Sequence, residues 1–295
     1  MSKYKTPTKA VITDAGCASR YLPITKTVPK AMLPMGNKPV MQLVVEECVS
    51  AGIRDIIIVA TPEGRAIYED YFGNPVEKIL RQLTSQGKED RYESVKEVLE
   101  LANITVIEQD PKLPYGNGSP IASAQSYLNE DEAFVALYSD DLILGTGDVA
   151  TLIKAYQKNP EAKAVITAQK MPEAVWNKYG MIALKDAQKR TLSHIVEKPK
   201  TPAESPSNLT SYGRYLLTPE VFKYLVPKNT GLDDELWTVD AITKLAKSGD
   251  VYVVNSRGKW LTTGDPKNYM AAYLRYVLEH EDYAEVVKAT VGEYL

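Results

Sequence analysis

Histidine and cysteine are both scarce in this sequence, with two residues of each among 295. His194 lies in a stretch of alternating polar and apolar residues and His280 in a charged segment near the C-terminus, so we interpret both as structural or solvated. A Ser-His-Asp triad or a histidine-rich metal site cannot be assembled from these two residues. We therefore expect that any chemistry of this protein proceeds without a histidine base.

Long apolar runs and a strong charge of either sign are also lacking. No apolar run approaches the roughly 20 residues that a membrane-spanning helix needs, and residues 1–9 do not have the apolar core of a signal peptide. Cys17 and Cys48 cannot form a disulfide framework, which is typical of a reducing compartment. The net charge of −3 disfavours a general nucleic-acid binder but is compatible with a small anionic substrate. The sequence predicts a soluble cytoplasmic protein.

The pattern of apolar residues predicts an α/β fold in a chain that is 44% hydrophobic and 25% charged. Buried strands are predicted at residues 9–13, 54–60, 104–107, 133–138 and 162–168. Helices are predicted between them at residues 39–51, 62–72, 74–102, 119–128 and 148–158. Strands that alternate with helices predict a Rossmann-like fold, in which helices cover both faces of a mostly parallel mixed sheet. The second half contains strand-like segments over residues 178–217, followed by predicted helices at 219–247 and 266–290 and a strand at 251–254.

A long loop follows the first predicted strand, and we name residues 14–36 the basic loop. Arg20, Lys26 and Lys30 are three cations within eleven residues. Small residues after a strand allow backbone N–H groups to approach a phosphate, and prolines stiffen the segment. Since the segment has no Gly-Lys-Ser/Thr, it is not a Walker loop. We interpret it as a phosphate-binding loop; the alternative is an ordinary solvated basic loop.

Two more polar segments follow predicted strands, namely residues 108–119 and the pair Asp140 and Asp141. Ligands of α/β sheets bind beyond the carboxyl ends of the strands. The basic loop and these two segments therefore predict one active site. The alternative for the aspartates is that they simply terminate a strand, and for Gln109 that it is an ordinary polar loop residue.

The basic loop resembles the signature of the bacterial UTP–glucose-1-phosphate uridylyltransferases, or UDP-glucose pyrophosphorylases. That signature reads Ala-Ala-Gly-Leu-Gly-Thr-Arg and then Leu-Pro-x-Thr-Lys-x-x-Pro-Lys-Glu-Met-Leu-Pro. The resemblance continues in register over nearly the whole chain. Further matching segments are Lys38-Pro39, Val45-Glu-Glu47, Tyr179-Gly180, Val196-Glu-Lys-Pro199, Ser207-Asn-Leu209, Gly213-Arg-Tyr215, Asp240-Ala-Ile242 and Gly258-Lys259.

The resemblance implies an enzyme of the sugar nucleotidyltransferase fold that transfers a uridylyl group from UTP to glucose 1-phosphate with Mg²⁺ and releases pyrophosphate. It also implies one domain over residues 1–295, with a nucleotide-binding part at about 1–175, a sugar-binding part at about 176–265 and a C-terminal helix at 266–295. Alternatives within this class are a thymidylyltransferase or an enzyme that uses another sugar 1-phosphate. A sugar phosphate has its second pKa at about 6, so the nucleophile is already ionised and needs no base.

In the nucleotide-binding part, the resemblance implies that Ala15, Gly16 and Lys26 contact the nucleotide. Arg20 and Lys30 would bind the triphosphate and stabilise the departing pyrophosphate as catalytic residues.

On the base side, the resemblance implies that Gln109 reads the uracil edge with Gly116 beside the base. An amide suits an imide edge because it both donates and accepts. Residues 115–120 read Tyr-Gly-Asn-Gly-Ser-Pro where the family has Leu-Gly-Leu-Gly-His-Ala, so the base preference is less constrained than the reaction type.

At the reacting phosphates, Asp140 would be both catalytic and the magnesium ligand, which in the family follows Leu-Pro. Asp141 would point elsewhere, for example toward a helix cap. Glu197 would accept hydrogen bonds from sugar hydroxyls, Lys198 would face the sugar phosphate, and Gly180 would let the backbone approach the sugar.

Several positions depart from the family pattern. Asp14 replaces a small residue, Ala18 a glycine and Ala31 a glutamate, while Thr262 stands where the wider superfamily has a metal-binding aspartate. Asp265, three residues on, cannot be assumed to replace it. These departures leave a second hypothesis open, a catalytically weak paralogue that regulates an active enzyme.

Self-association as a homodimer or homotetramer is also implied by the resemblance. The predicted C-terminal helix offers a stripe of apolar and aromatic side chains for it: Tyr269, Tyr273, Tyr276 and Val277. The alternative is that this stripe packs against the sheet.

Overall fold

The computed structural model describes residues 3–294 of the chain. Its strands are β1 (Lys9–Asp14), β2 (Pro34–Met35), β3 (Lys38–Pro39), β4 (Asp55–Ala60), β5 (Asn103–Glu108), β6 (Phe134–Tyr138), β7 (Asp141–Leu144), β8 (Ala164–Lys170), β9 (Gly180–Asp186), β10 (Thr191–Glu197), β11 (Leu209–Leu217), β12 (Val251–Asn255) and β13 (Lys259–Thr262). Its α-helices are α1 (Val40–Ser50), α2 (Pro62–Gly73), α3 (Glu77–Ser85), α4 (Glu93–Leu99), α5 (Gly118–Ser123), α6 (Asp148–Lys158), α7 (Thr238–Ser248), α8 (Pro266–Glu279) and α9 (Glu281–Gly292).

A mixed sheet of nine strands forms the centre of the molecule, in the order β5-β4-β1-β6-β11-β8-β12-β10-β9. The strands from the first half of the chain, β5, β4, β1 and β6, run parallel to one another. β11 runs antiparallel to both of its neighbours, β6 and β8, and β9 and β10 form an antiparallel pair. The predicted α/β class with a mixed sheet is confirmed. Three parallel pairings lie in the half that carries the basic loop, and a fourth joins β8 to β12 in the second half.

Two apolar clusters lie on opposite faces of the sheet. One contains residues of α1, α2, α6 and α8, and the other contains residues of α5 and α7. Strands such as β4, with five consecutive buried residues, have no solvated face because helices cover both sides. Helices therefore flank the sheet on both faces, as predicted.

Local sequence signals explain where the helices next to the basic loop begin and end. α1 starts directly after Pro39, and the chain leaves it at Gly52, whose φ is +89°. α2 is capped by the Thr61 hydroxyl, which accepts from the Gly64 N–H at 3.1 Å, and it has Pro62 in its first turn.

Four predicted helices differ from the structure. The helix predicted over 119–128 ends as α5 at Ser123, and a 3₁₀ turn follows at Gln125–Tyr127. The predicted helix over 74–102 is interrupted between α3 and α4, where Gly87 adopts a φ of +65°. Residues 219–237 form short 3₁₀ turns, and only α7 remains of the helix predicted over 219–247. The C-terminal helix breaks at His280, which has extended backbone angles, into α8 and α9. In each case, pattern alone did not indicate the interruption.

The short antiparallel pair of β7 and β13 was not predicted from the sequence. In this pair Thr262 lies opposite Asp141, so the segment 259–265 is brought to the carboxyl end of β6. Four-residue strands give too few alternations for a reliable pattern.

None of the helices between residues 3 and 294 has the length and apolar composition to cross a bilayer.

Candidate active site

A cavity of about 370 Å³, named here the main cavity, opens at the carboxyl ends of β1 and β6. A neighbouring cavity of about 450 Å³, the side cavity, shares with it Asp14, Ala15, Gly16, Lys30 and Tyr115. The predicted site residues that line the main cavity are Ala15, Gly16, Arg20, Lys30, Gln109, Gly116, Asp140 and Lys198. Lys26 lines the side cavity. The structure thus brings together residues from the basic loop, the 108–119 segment and the end of β10.

The basic loop is anchored to the segment that follows β13. Arg20 Nη1 donates to the Gly264 carbonyl at 3.1 Å, and the Tyr21 hydroxyl donates to the Thr263 carbonyl at 2.5 Å. Ala18 adopts a left-handed conformation with φ +45°, which favours glycine, the residue that the family has at this position. The loop therefore keeps the glycine-type turn at the cost of some backbone strain.

An ion pair between Lys30 and Asp140 forms the floor of the main cavity. Lys30 Nζ lies 2.6 Å from Asp140 Oδ2, and the two side chains are only 18% and 25% exposed. Burial lowers the pKa of Lys30, but the Asp140 and Asp14 carboxylates outweigh this and raise it. Burial also opposes ionisation of Asp140, but Lys30 outweighs it and lowers the pKa of Asp140. Both groups are therefore charged at neutral pH.

The carboxylate of Asp141 points away from the cavity and is fully engaged. It accepts hydrogen bonds from the Gly213 N–H at 2.9 Å and from Trp260 Nε1 at 2.7 Å. Burial, followed by the charge of Asp140, raises its pKa to about 6. The suggestion that Asp141 turns toward a helix cap is wrong, because its partners are a strand N–H and an indole.

Asp140 lines the main cavity, as do Asp14 and Glu235, and its surroundings fit a magnesium ion. Mg²⁺ is commonly bound through one or two carboxylates together with water and substrate phosphates. Among residues 3–294 there is no group of three or more His, Cys, Asp and Glu that could cage a metal ion. A cation at Asp140 would thus depend on phosphate oxygens for its remaining ligands.

Thr262 lies close to Asp140, and the resemblance implied a metal-binding aspartate at its position. A Cβ at Gly264 would lie 3.3 Å from both Asp140 Oδ2 and Thr262 Oγ1, so the two side chains face the same point. Asp265 does not substitute for the missing carboxylate, because it caps α8 and accepts from two backbone N–H groups at 3.0 Å.

Asp14, the anion at the start of the basic loop, is buried and bonded. Its carboxylate accepts from Ser139 Oγ at 2.7 Å and from the hydroxyl of Tyr68 on α2. Burial raises its pKa, against the opposing effect of Lys30. Ser139 stands where the family has the proline before its aspartate. Asp14 and Ser139 both depart from the family pattern, and in the structure a hydrogen bond joins them.

On the base side, Gly116 has a steric reason to be glycine. Its φ is +131°, and a Cβ there would lie 2.5 Å from the Leu236 carbonyl oxygen. The backbone of Gln109 donates to the Ala60 carbonyl at 3.2 Å, while its side-chain amide has no hydrogen-bond partner among residues 3–294. Sequence reasoning did not identify Tyr115, which is 65% exposed and lines both cavities.

Glu197 and Lys198, which the resemblance assigned to the sugar phosphate, lie at the end of β10. Lys198 Nζ lies 3.8 Å from Glu197 Oε1 and 4.6 Å from the centre of the Trp237 ring. A Cβ at Gly180 would lie 2.9 Å from Glu197 Oε2, so glycine leaves room for that carboxylate. Burial raises the pKa of Glu197, and Lys198 opposes the shift. Trp237 was not predicted, because it comes from a segment about forty residues further along the chain.

Comparison with known proteins gives one consistent result. The family model described as "Nucleotidyl transferase" matches residues 9–278. UTP–glucose-1-phosphate uridylyltransferase 2 of Staphylococcus saprophyticus is 38% identical over 289 residues, which are 95% of this chain and 96% of that protein. UTP–glucose-1-phosphate uridylyltransferase of Bacillus subtilis is 36% identical and covers 93% of this chain and 92% of its own.

Solved structures agree with these relatives. The UTP-bound UGPase of Acinetobacter baumannii superposes with a TM-score of 0.85 at 29% identity, over 97% of this chain and 99% of that one. A UDP-glucose pyrophosphorylase complexed with UDP-glucose has a TM-score of 0.79 at 28% identity, over 93% of this chain and 100% of the other.

Proposed function

Because this chain belongs to the nucleotidyl transferase family, we propose that it transfers the uridylyl group of UTP to glucose 1-phosphate, giving UDP-glucose and pyrophosphate. The observation that carries the proposal is the Lys30–Asp140 pair at the floor of a cavity where the basic loop meets the end of β10. This arrangement puts cations and a carboxylate between a site suited to a nucleotide and one suited to a sugar phosphate.

The nucleotide would bind against the basic loop, within about the first 175 residues. The backbone at Ala15 and Gly16 would approach its phosphates, and Arg20, Lys26 and Lys30 would balance the negative charge. The unpaired amide of Gln109 is free to read the base edge. Gly116, whose missing side chain leaves room for the Leu236 backbone, would lie beside the base.

The sugar phosphate would bind at the end of β10, within about residues 176–265. Glu197 would accept from sugar hydroxyls, Lys198 would balance the sugar phosphate, and the missing side chain at Gly180 keeps the approach open.

Transfer then requires positioning and charge stabilisation rather than a base. The sugar phosphate is mostly dianionic at neutral pH, since its second pKa is about 6. Lys30, held in a poorly hydrated pocket, is placed to stabilise the charge that develops as pyrophosphate departs. Asp140 would hold Mg²⁺, which when bound supplies further positive charge to the phosphate oxygens.

This function is tested by measuring pyrophosphate release, in the presence of Mg²⁺, for a panel of nucleoside triphosphates combined with sugar 1-phosphates. We expect the highest kcat/KM for UTP with glucose 1-phosphate, and no release when the sugar phosphate is omitted. A clear preference for dTTP or GTP would overturn the base assignment and leave the reaction class in place.

A second candidate is a weakly active regulatory paralogue, and Thr262 beside Asp140 is the observation that favours it. Such a protein would bind UDP-glucose, measured by calorimetry, yet release pyrophosphate only at a negligible rate with every pair in the panel. Robust turnover with UTP and glucose 1-phosphate would exclude it.

We further propose that the protein is cytoplasmic, as its two unpaired cysteines indicate, and that it forms homodimers or homotetramers.

The stripe predicted for association packs inward instead: Val277 is buried, and Tyr269, Tyr273 and Tyr276 pack against the core. The outer face of α8 has exposed apolar side chains at intervals of four residues, Met270, Leu274 and Leu278. We expect light scattering to give a mass above 32.7 kDa, and a monomer at micromolar concentration would refute association.

A further inference from the structure

Arg214 is a completely buried arginine in the middle of the sheet, on β11. Its guanidinium donates to Glu47 Oε2 from Nε at 3.0 Å and from Nη2 at 2.9 Å. It also donates to three carbonyl oxygens, those of Gly213 at 2.7 Å, Tyr138 at 3.2 Å and Asp141 at 2.5 Å. One side chain therefore joins β11 to the end of β6 and the start of β7.

Glu47, its counter-ion, comes from α1 and is itself held in place. Its side chain is 8% exposed, and its second oxygen, Oε1, accepts from the N–H groups of Asp148 at 2.8 Å and Val149 at 3.2 Å, at the start of α6. Gly147 has no room for a side chain, because a Cβ would lie 2.8 Å from Glu47 Cγ. The ion pair is thus fixed by two helices.

A buried ion pair is a poor means of gaining stability, because the desolvation of both charges offsets their attraction. Apolar side chains of similar volume would serve the packing as well. The position of the hydrogen bonds suggests another reason for this pair. Tyr138 and Asp141, whose carbonyls Arg214 holds, are the residues on either side of Ser139 and Asp140.

The remaining groups of this turn are also held. The carbonyl of Asp140 accepts from the Thr263 N–H at 2.6 Å, and the carboxylate of Asp141 accepts from Gly213 and Trp260. With the backbone fixed at 138, 140 and 141, the carboxylate of Asp140 is left to face the main cavity. Such outer partners set the geometry of a metal-binding side chain.

We propose that Arg214, fixed by Glu47, is a positioning residue that holds the backbone on both sides of Asp140 and thereby sets its carboxylate for a divalent cation. The inference rests on the proposed function, since the cation belongs to uridylyl transfer. Neither residue touches the substrates; both act through Asp140.

The test is Arg214→Lys, which retains the positive charge for Glu47 but cannot reach Glu47 and both flanking carbonyls at once. Mn²⁺ is titrated into UTP-bound protein and its binding is followed by the relaxation of water protons, with UTP alone as the blank. We expect Mn²⁺ affinity to fall by about tenfold or more. The Mg²⁺ concentration for half-maximal rate should rise in parallel, with the KM for glucose 1-phosphate unchanged.

A matched control separates positioning from general stability. Lys163→Met removes a different, partly buried ion pair, with Glu220 at 2.6 Å, from a region outside both cavities. We expect this control to lower the Tm without changing Mn²⁺ affinity. If Arg214→Lys does not fold, Glu47→Gln replaces it. The glutamine can still cap α6 but holds the guanidinium less firmly, so we expect Mn²⁺ affinity to fall in this variant as well.

Wild-type Mn²⁺ affinity in a folded Arg214→Lys or Glu47→Gln variant would overturn the positioning role. This outcome is distinct from failure of the proposed function. Mn²⁺ binding is read without turnover, whereas the proposed function fails only if the wild type does not release pyrophosphate from UTP and glucose 1-phosphate.

Discussion

Replacing Asp140 with alanine should reduce pyrophosphate release by on the order of 10³-fold or more, while the protein stays folded. The reason is that no neighbouring carboxylate can take its place. Asp14 is bonded to Ser139 and Tyr68, Asp141 is bonded to Gly213 and Trp260, Asp265 caps α8, and the adjacent Thr262 is neutral. Turnover is measured over a range of Mg²⁺ concentrations, with unfolding followed by circular dichroism.

Two further variants sharpen this prediction. Asp265→Asn retains a capping side chain and should leave the rate within a few-fold of wild type, because that residue only caps a helix. Thr262→Asp adds a hard anionic oxygen beside Asp140 and should lower the Mg²⁺ concentration needed for half-maximal rate. Robust turnover by Asp140→Ala at unchanged Mg²⁺ would remove Asp140 from the metal site.

Lys30→Ala should lower kcat by about 10²–10³-fold and change the KM for glucose 1-phosphate much less. Lys30 is mostly shielded from water, so its charge acts through a lower effective dielectric than an exposed cation would. Its pKa is raised, so the ammonium is charged throughout the neutral range and the loss should be seen at every pH there. Steady-state kinetics with each substrate varied in turn provide the measurement.

Arg20 and Lys26 are the matched comparisons for Lys30. Arg20 is also expected to act on the departing pyrophosphate, so Arg20→Ala should lower kcat, but by less than Lys30→Ala because the residue is exposed. Lys26 lines only the side cavity, so Lys26→Ala should act mainly on the KM for UTP. Near-normal turnover of Lys30→Ala would remove Lys30 from the catalytic residues.

Those parts of the site that follow a strand directly could be predicted from the sequence. β1 and β6 are short, apolar and rich in β-branched or aromatic residues, so their carboxyl ends, and with them the basic loop and Asp140, could be located by pattern. The order of strands and helices was enough to predict that these ends meet at one edge of the sheet.

What pattern could not predict are contacts between segments distant in the chain. Arg214 and Glu47 lie 167 residues apart, and each is an ordinary charged residue in its own segment. The 3₁₀ turns over 219–237 also depend on a distant contact, because the Leu236 N–H donates to the carbonyl of Tyr115 at 2.7 Å. A continuous helix over that segment would use the same N–H within the helix. The sequence of α8 likewise did not show which of its faces packs against the core, because that depends on the elements that surround the helix.

The hydrogen bond between Ser139 and Asp14 couples two positions 125 residues apart in the chain. A proline at 139 alone would remove one donor from a buried carboxylate, and a small residue at 14 alone would leave the Ser139 and Tyr68 hydroxyls without their acceptor. Each single step back toward the family pattern thus passes through an intermediate with an unmatched buried polar group. The pair is therefore expected to be epistatic, so that the effects of the two single substitutions on the free energy of unfolding do not add.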